Sequence, residues 1–266
     1  MNFLKNSMID VTLEKQTVLE TVFVSQTGPV REHNEDSIIV AEGAEHGVPG
    51  KGTLLVVADG MGGMDAGERA SSMVTTELPT IYFESDITNT VECLVQSVAE
   101  INSRVHEAGG SSQSGKGMGT TIVTSVIVHD RLITVNVGDS RAYLFHDGKL
   151  RQLSRDHSMR KEFFSPFESN AQDLSHVLTQ AIGPQPAINP HVNICRIAED
   201  DLILLCSDGL TSVLSDSEIR NVLGDKPFSE AADELLARVF ANDGDDNVSI
   251  ILSKVIEVIP AKVVRG

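Results

Sequence analysis

Basic residues are scarce in this chain. Over 266 residues, 21 lysines and arginines stand against 38 aspartates and glutamates, a net charge of −17. A surface this negative repels phosphate backbones and anionic lipid, so nucleic-acid or membrane-surface binding is disfavoured as the main role. The same excess of carboxylates suits cations or basic protein partners. Cysteine is rarer still. Cys93, Cys195 and Cys206 are odd in number and far apart, without a disulfide framework or a Cys-Cys zinc pattern, which points to a reducing compartment. Long apolar runs are missing too, with none near the roughly 18 residues of a membrane span. Asp10, Glu14 and Glu20 interrupt the start of the chain where an export signal would be apolar. There is no internal repeat and no linker rich in Pro, Gly or Ser. The expectation is a soluble cytoplasmic protein, and 41% apolar with 22% charged residues is an ordinary globular composition.

Two periodicities alternate in what is present. Strand-like runs occur at Leu54 to Ala58, Thr120 to Val128, Leu132 to Val137, Arg141 to Phe145, Lys149 to Leu153, Leu202 to Cys206 and Val248 to Leu252. His129-Asp130 and Asp147-Gly148 join neighbouring runs as two-residue links, so those strands are antiparallel. Ile87, Val91, Leu94, Val95, Val98, Ile101 and Val105 share one face of a long helix. Asp65 with Glu68 opens another, which Pro79 is expected to end. Ser215 with Glu218 repeats the capping signature, and Ser229 starts a further helix. Helices before and after the central hairpins imply an α+β protein with helices over the outer faces of antiparallel sheets. A segment of weak periodicity, 155–181, reads as a functional flap.

The acidic residues carry the chemistry. Two apolar strands end alike, in Asp59-Gly60 and in Asp208-Gly209, and Asp245-Asp246 precedes a third. Carboxylates gathered at strand ends stay ionised at neutral pH only if cations neutralise them. Oxygen-only ligands suit Mg²⁺ or Mn²⁺. Asp-Gly is also a common turn pair, and Asp147-Gly148 reads as one. Asp59 differs because Gly60-Met61-Gly62-Gly63 gives more backbone freedom than a turn needs. Near the start, Arg31 offers a planar fork for phosphate oxygens, with Glu35 and Asp36 close by as further oxygen ligands.

In this order the pieces form a specific set. Arg31-x-x-Asn34-Glu35-Asp36, Val57-Ala58-Asp59-Gly60-Met61-Gly62-Gly63, Gly117-Met118-Gly119-Thr120-Thr121, Val137-Gly138-Asp139-Ser140-Arg141, Ser207-Asp208-Gly209-Leu210 and Asp246-Asn247-Val248-Ser249 resemble the metal-dependent protein phosphatase family (PPM, type 2C). The likeness is strongest to its bacterial serine/threonine branch. It implies a four-layer α-β-β-α sandwich, with residues 20–255 as the phosphatase domain. Residues 1–19 then read as a disordered lead or an added edge strand, and 256–266 as a C-terminal tail. Two divalent cations, Mn²⁺ or Mg²⁺, are implied as cofactors. By resemblance, Asp59 bridges them, the Gly60 carbonyl is a further ligand, Asp208 and Asp246 complete one ion's shell, and Glu35 and Asp36 serve the other. Arg31 matches the arginine that holds the substrate phosphate. The implied reaction is hydrolysis of phosphoserine and phosphothreonine by direct attack of a metal-bridging hydroxide.

Asp139, Thr120 and Asn247 are expected to orient ligands and strands around the ions. Three departures from the family pattern stand out. Lys116 occupies the place of an aspartate serving a third ion, which removes a ligand and adds repelling charge; its side chain could instead reach the substrate phosphate. Met61 and Met64 occupy places where some members carry a histidine acid. His157 is then the first candidate for leaving-group acid, with His33 second. Ser212 stands where bacterial members often have aspartate. His106 and His129 read as surface positions, and Cys206 as core. The implied partners are phosphoprotein substrates and a cognate serine/threonine kinase, with the chain a monomer. Two other readings stay open: a silent phosphatase-fold binding module, and hydrolysis of small phosphate esters.

Overall fold

The computed structural model describes residues 16–61, 65–110, 118–159 and 177–260. Strands β1 (Val18–Gln26), β2 (Asp36–Glu42) and β3 (Thr53–Met61) come first. Helices α1 (Asp65–Glu84) and α2 (Thr90–Gly110) follow. Strands β4 (Gly119–Thr120), β5 (Ile122–Val128), β6 (Arg131–Val137), β7 (Arg141–His146) and β8 (Lys149–Gln152) form the central block. The last block is β9 (His191–Arg196), β10 (Leu202–Cys206), α3 (Asp208–Thr211), α4 (Asp216–Asp225), α5 (Phe228–Ala241) and β11 (Val248–Glu257).

Among the described residues the strands make two antiparallel sheets. One has the order β1-β11-β10-β7-β8, the other β2-β3-β5-β6-β9, with β4 paired to β3. Alternation along single strands explains why the central ones are apolar throughout. In β3, Leu54, Val56 and Ala58 face Val74, Leu78 and Tyr82 of α1 and Leu94 and Ile101 of α2. Leu55 and Val57 point the other way, against Leu144, Ile203, Leu205 and Ile251 of the opposite sheet. In β10, Leu202, Leu204 and Cys206 pack on Ile219 and Val222 of α4 and on Leu235 and Val239 of α5. A strand buried on both faces needs apolar side chains at both parities. Three cores separate four layers, the α-β-β-α sandwich expected.

Local signals set several boundaries. The side chain of Asn89 accepts the amides of Val91 and Glu92 and so caps α2. Ser215 and Glu218 make a full capping box on α4. His129 and Asp147 take positive φ values of 53° and 47° in their two-residue hairpin turns. Other expectations are corrected. Pro79 does not end α1, which runs on to Glu84 with the proline inside. The buried Leu78, Tyr82 and Phe83 hold the last turns in the core despite the lost hydrogen bond. The last long helix begins at Phe228 behind Pro227, not at Ser229. Among the described residues no helix is long and apolar enough to cross a membrane.

Candidate active site

Strand register assembles one rim of the sandwich. Asp36, first residue of β2, lies opposite Asp59 near the end of β3. In the facing sheet, β10 ends at Cys206 opposite Ile250 of β11, which places Asp208 just beyond β10 and Asp246 just before β11. Backbone and hydroxyl contacts tie those two ends together: Ser207 N–H donates to Ser249 O at 3.0 Å, and Ser249 N–H donates to Ser207 Oγ at 2.9 Å.

Each acidic residue is held by its main chain. Asp59 N–H donates to Thr121 Oγ1 at 3.1 Å. Its carbonyl accepts from Thr120 Oγ1 and Thr121 N–H, both at 2.8 Å. Gly60 N–H donates to Glu35 O at 3.1 Å, and Ser71 Oγ donates to the same carbonyl at 2.6 Å. A Cβ on Gly60 would lie 2.4 Å from Gly67 O and 2.6 Å from Glu35 O. Only glycine lets three backbones meet there. Asn34 Oδ1 accepts the Asp36 amide at 3.1 Å, while its Nδ2 donates to Ser25 Oγ at 2.8 Å. Asn247 N–H donates to Asp246 Oδ1 at 2.8 Å, and its side chain bonds Gly28 N–H and His33 O, each at 3.2 Å.

The electrostatics are those of crowded like charges. Burial pushes the Asp36 carboxyl up to about 7, with Asp208 and Asp246 adding to the rise and the Ser207 and Ser249 hydroxyls opposing it. Asp59 is raised well above the carboxylate range by burial and then by Asp36, Asp208 and Asp139. Asp139 rises to about 7 through burial, Asp208 and Asp156. Burial also raises Glu35, and Arg31 opposes that rise. The Asp59 and Asp208 carboxyls stand in hydrogen-bonding contact, which calls for a proton or a cation between them. Asp36 is only 8% exposed, yet both its carboxyl oxygens lack a hydrogen-bond partner of good geometry. The Ser207 and Ser249 hydroxyls are the donors near it, with Ser207 Oγ also accepting the Ser249 amide and Ser249 Oγ also pairing with Ser25 Oγ. Two hydroxyls offset only part of the cost of burying a charged carboxyl beside its neighbours, and a cation would offset the rest. Among the described residues no three His, Cys, Asp or Glu side chains are arranged to hold a metal ion as they stand. The donor set, all oxygen and mutually repelling, nevertheless fits hard divalent cations.

The remaining expected residues fall in different places. Arg31 is exposed, and its Nη2 donates to Asp246 Oδ2 at 2.8 Å. His157 is buried in the loop after β8, where its Nδ1 accepts the Gly138 amide at 3.1 Å. With Nδ1 as acceptor, the neutral ring carries its proton on Nε2. His33 is exposed and lends its carbonyl to Asn247. Lys116, Gly62, Gly63, Met64 and residues 160–176 of the expected flap lie outside the described residues. His106 is not a plain surface residue, because its Nδ1 bonds Gly183 O at 2.7 Å. His129 is half-buried as well.

Sequence reasoning missed the framework beneath Asp139. Arg141 grips Asp156 through Nε at 3.0 and 3.1 Å and through Nη2 at 2.7 Å. Gln152 Nε2 adds a bond to Asp156 at 2.7 Å, and Arg141 Nη1 donates to Tyr143 Oη at 3.0 Å. The signal was present in Gly138-Asp139-Ser140-Arg141 and Asp156-His157-Ser158, which flank one hairpin, but the pairing of their charges was not legible.

Comparison with known proteins settles the family. Residues 31–253 match the family described as Protein phosphatase 2C. The chain belongs to the protein phosphatase 2C family. Among its relatives, a serine/threonine phosphatase of Listeria innocua is 32% identical over 240 residues, covering 86% of this chain and 93% of the relative. The protein phosphatase PhpP of Streptococcus pneumoniae is 32% identical over 246 residues, covering 88% and 96%. The solved serine/threonine phosphatase of S. agalactiae superposes with a TM-score of 0.80 at 31% identity, covering 90% of this chain and 100% of that one. Stp1 of Staphylococcus aureus gives 0.79 at 30% identity, covering 90% and 95%. This phosphatase-family chain thus shares both sequence and fold with bacterial serine/threonine phosphatases along most of its length.

Proposed function

We infer that this chain is a metal-dependent protein serine/threonine phosphatase, hydrolysing phosphoserine and phosphothreonine esters in protein substrates. The observation that carries the reading is the crowding of carboxyls at one rim: Asp36, only 8% exposed, lies opposite Asp59, and Asp208 and Asp246 press on the pair from the facing sheet. That arrangement asks for cations.

Asp59, the Gly60 carbonyl, Asp208 and Asp246 on one side, and Glu35 and Asp36 on the other, are the groups that would hold two divalent ions, Mn²⁺ or Mg²⁺. When bound, such ions supply a water of lowered pKa as nucleophile and neutralise charge on phosphoryl oxygens. The protein's own part is positional. Thr120 and Thr121 fix the Asp59 backbone from both its amide and its carbonyl. Asn247 fixes Asp246 and the loop that carries Arg31. The Arg31 guanidinium offers parallel N–H donors to the phosphoryl oxygens and is exposed enough to meet a protein substrate. Asp139 lies within electrostatic reach of Asp208 and Asp59 and orders their environment. Departure of the serine or threonine oxygen needs a proton; His157 is the assigned donor and would act as the imidazolium, which requires Nδ1 to give up the Gly138 amide and take a proton from water. Lys116 is assigned to the substrate phosphate in place of a third ion.

The chain is further assigned to the cytoplasm as a monomer opposing a serine/threonine kinase. The three unpaired cysteines and the bacterial serine/threonine phosphatase relatives support that placement. Phosphate release from phosphothreonine and phosphoserine peptides, by metal-stripped protein with and without added Mn²⁺, tests the function. Metal-dependent release that is lost in Asp59→Asn is expected. Absence of release under both conditions would favour a silent binding module.

A further inference from the structure

Arg31, the group assigned to the substrate phosphate, is already engaged: Nη2 donates to Asp246 Oδ2 at 2.8 Å. The backbone builds this pairing. Arg31 N–H closes a turn on Gly28 O at 3.1 Å. Gly28 N–H in turn donates to Asn247 Oδ1, and Asn247 Nδ2 donates to His33 O. A Cβ on Gly28 would lie 2.3 Å from Asp246 O and 2.4 Å from Asp245 O, so the two main chains touch at this point. The loop therefore hangs the guanidinium over Asp246. The other carboxylate oxygen of Asp246 accepts its neighbour's amide at 2.8 Å, so Arg31 holds the carboxylate by Oδ2, and a cation drawn to this carboxylate competes with the guanidinium for its charge.

We propose that Arg31 is a latch shared between Asp246 and the substrate's phosphoryl group, so that cation binding at Asp246 and phosphate binding by Arg31 promote each other by opening the same ion pair. The proposal rests on the phosphatase reading given above. A cation drawing on the Asp246 carboxylate releases the guanidinium, which then presents its fork to the phosphate. A phosphate that captures the guanidinium removes a positive charge from beside the cation's ligand. Linkage makes the two effects equal in size. With side-chain exposures of 51% and 34%, the pair is open enough to water to be exchanged easily.

Isothermal titration of the metal-stripped full chain with MnCl₂ tests the latch in wild type, Arg31→Ala, Asp246→Asn and the double variant. Arg31→Ala is expected to bind Mn²⁺ about 10-fold more tightly than wild type, the size of one charge interaction a few ångströms away in partly exposed surroundings. In the Asp246→Asn background the same removal is expected to shift affinity by less than about 2-fold. Inorganic phosphate is expected to raise Mn²⁺ affinity more in wild type than in Arg31→Ala. Equal or weaker Mn²⁺ binding by Arg31→Ala overturns the latch and leaves the phosphatase reading standing. Undiminished tightening in the Asp246→Asn background also overturns it, because the effect would then be one of general charge. Failure of every folded variant, wild type included, to bind Mn²⁺ overturns latch and metal reading together.

Discussion

Replacing Asp36 with asparagine should stabilise the metal-free protein and abolish its stabilisation by metal. Asp36 is 8% exposed, and its carboxyl sits at about 7 against an ordinary 3.8. Holding that group charged in the fold costs about 4 kcal/mol at most, at 1.36 kcal/mol per pKa unit. Because the folded pKa is raised, the cost is absent below pH 3.8 and develops as pH rises through about 7. Stability of the metal-free wild type should therefore fall across that window. An asparagine side chain carries no charge and occupies the same space, so the variant should escape the loss. For a domain of this size, 1 kcal/mol corresponds to about 2–4 °C in Tm, so the gain should approach roughly 10 °C at pH 8 and shrink below pH 4. The assay is thermal unfolding in chelator at both pH values, repeated with Mn²⁺. With the ion present the order should reverse, since only the wild type gains a ligand. A lower Tm for Asp36→Asn in chelator at pH 8, or a difference unchanged between the two pH values, would refute the reasoning.

Other consequences are open to test. Asp156→Ala leaves the Arg141 guanidinium, only 17% exposed, with the exposed Asp216 at 3.8 Å as its remaining ion-pair partner; a loss of about 3 kcal/mol in chemical denaturation is expected, whereas a loss under about 1 kcal/mol would show the network to be dispensable. Gly209→Ala puts a Cβ 2.0 Å from Asn247 O. Relief of that clash must part the Asp208 and Asp246 segments, and Mn²⁺ affinity measured by titration should fall at least about 10-fold, on the scale of a disturbed outer metal shell. His146 is raised by its 2.5 Å contact with Asp201 and then by Asp147, so it stabilises most below pH 6.5. His146→Ala should consequently lower Tm more at pH 5.5 than at pH 8, and an equal loss at both would disprove the ion pair's role.

What the sequence reveals follows from where the information lies. Asp59 and Asp208 were legible because each closes an unbroken apolar run with Asp-Gly, and strands buried on both faces leave such runs. Strands β1, β2 and β9 were not read. Val18–Gln26 interleaves Glu20, Thr21 and Ser25 at the sheet edge, the apolar stretch of Asp36–Glu42 is short and acid-flanked, and His191–Arg196 is half polar. Edge strands need only one buried face, so their pattern is weak. Pro79 misled for a related reason, since burial of Tyr82 and Phe83 outweighs a local breaker. Ser25, Asn34, Ser207 and Ser249 hold the rim together, yet they lie far apart in the chain and meet only through sheet pairing. No local spacing encodes such a contact. His157 was legible as a histidine beside the site, but its burial against Gly138 depends on how the Arg155–His157 turn returns to Asn136.

Diffraction from crystals grown with Mn²⁺, collected for anomalous scattering, addresses the rim of carboxylates directly. Two peaks are predicted, both within bonding distance of Asp59, with Asp208 and Asp246 around one and Asp36 and Glu35 near the other. A well-ordered rim carrying no peak beside Asp59 and Asp208, at a Mn²⁺ concentration that supports phosphate release, would contradict the account.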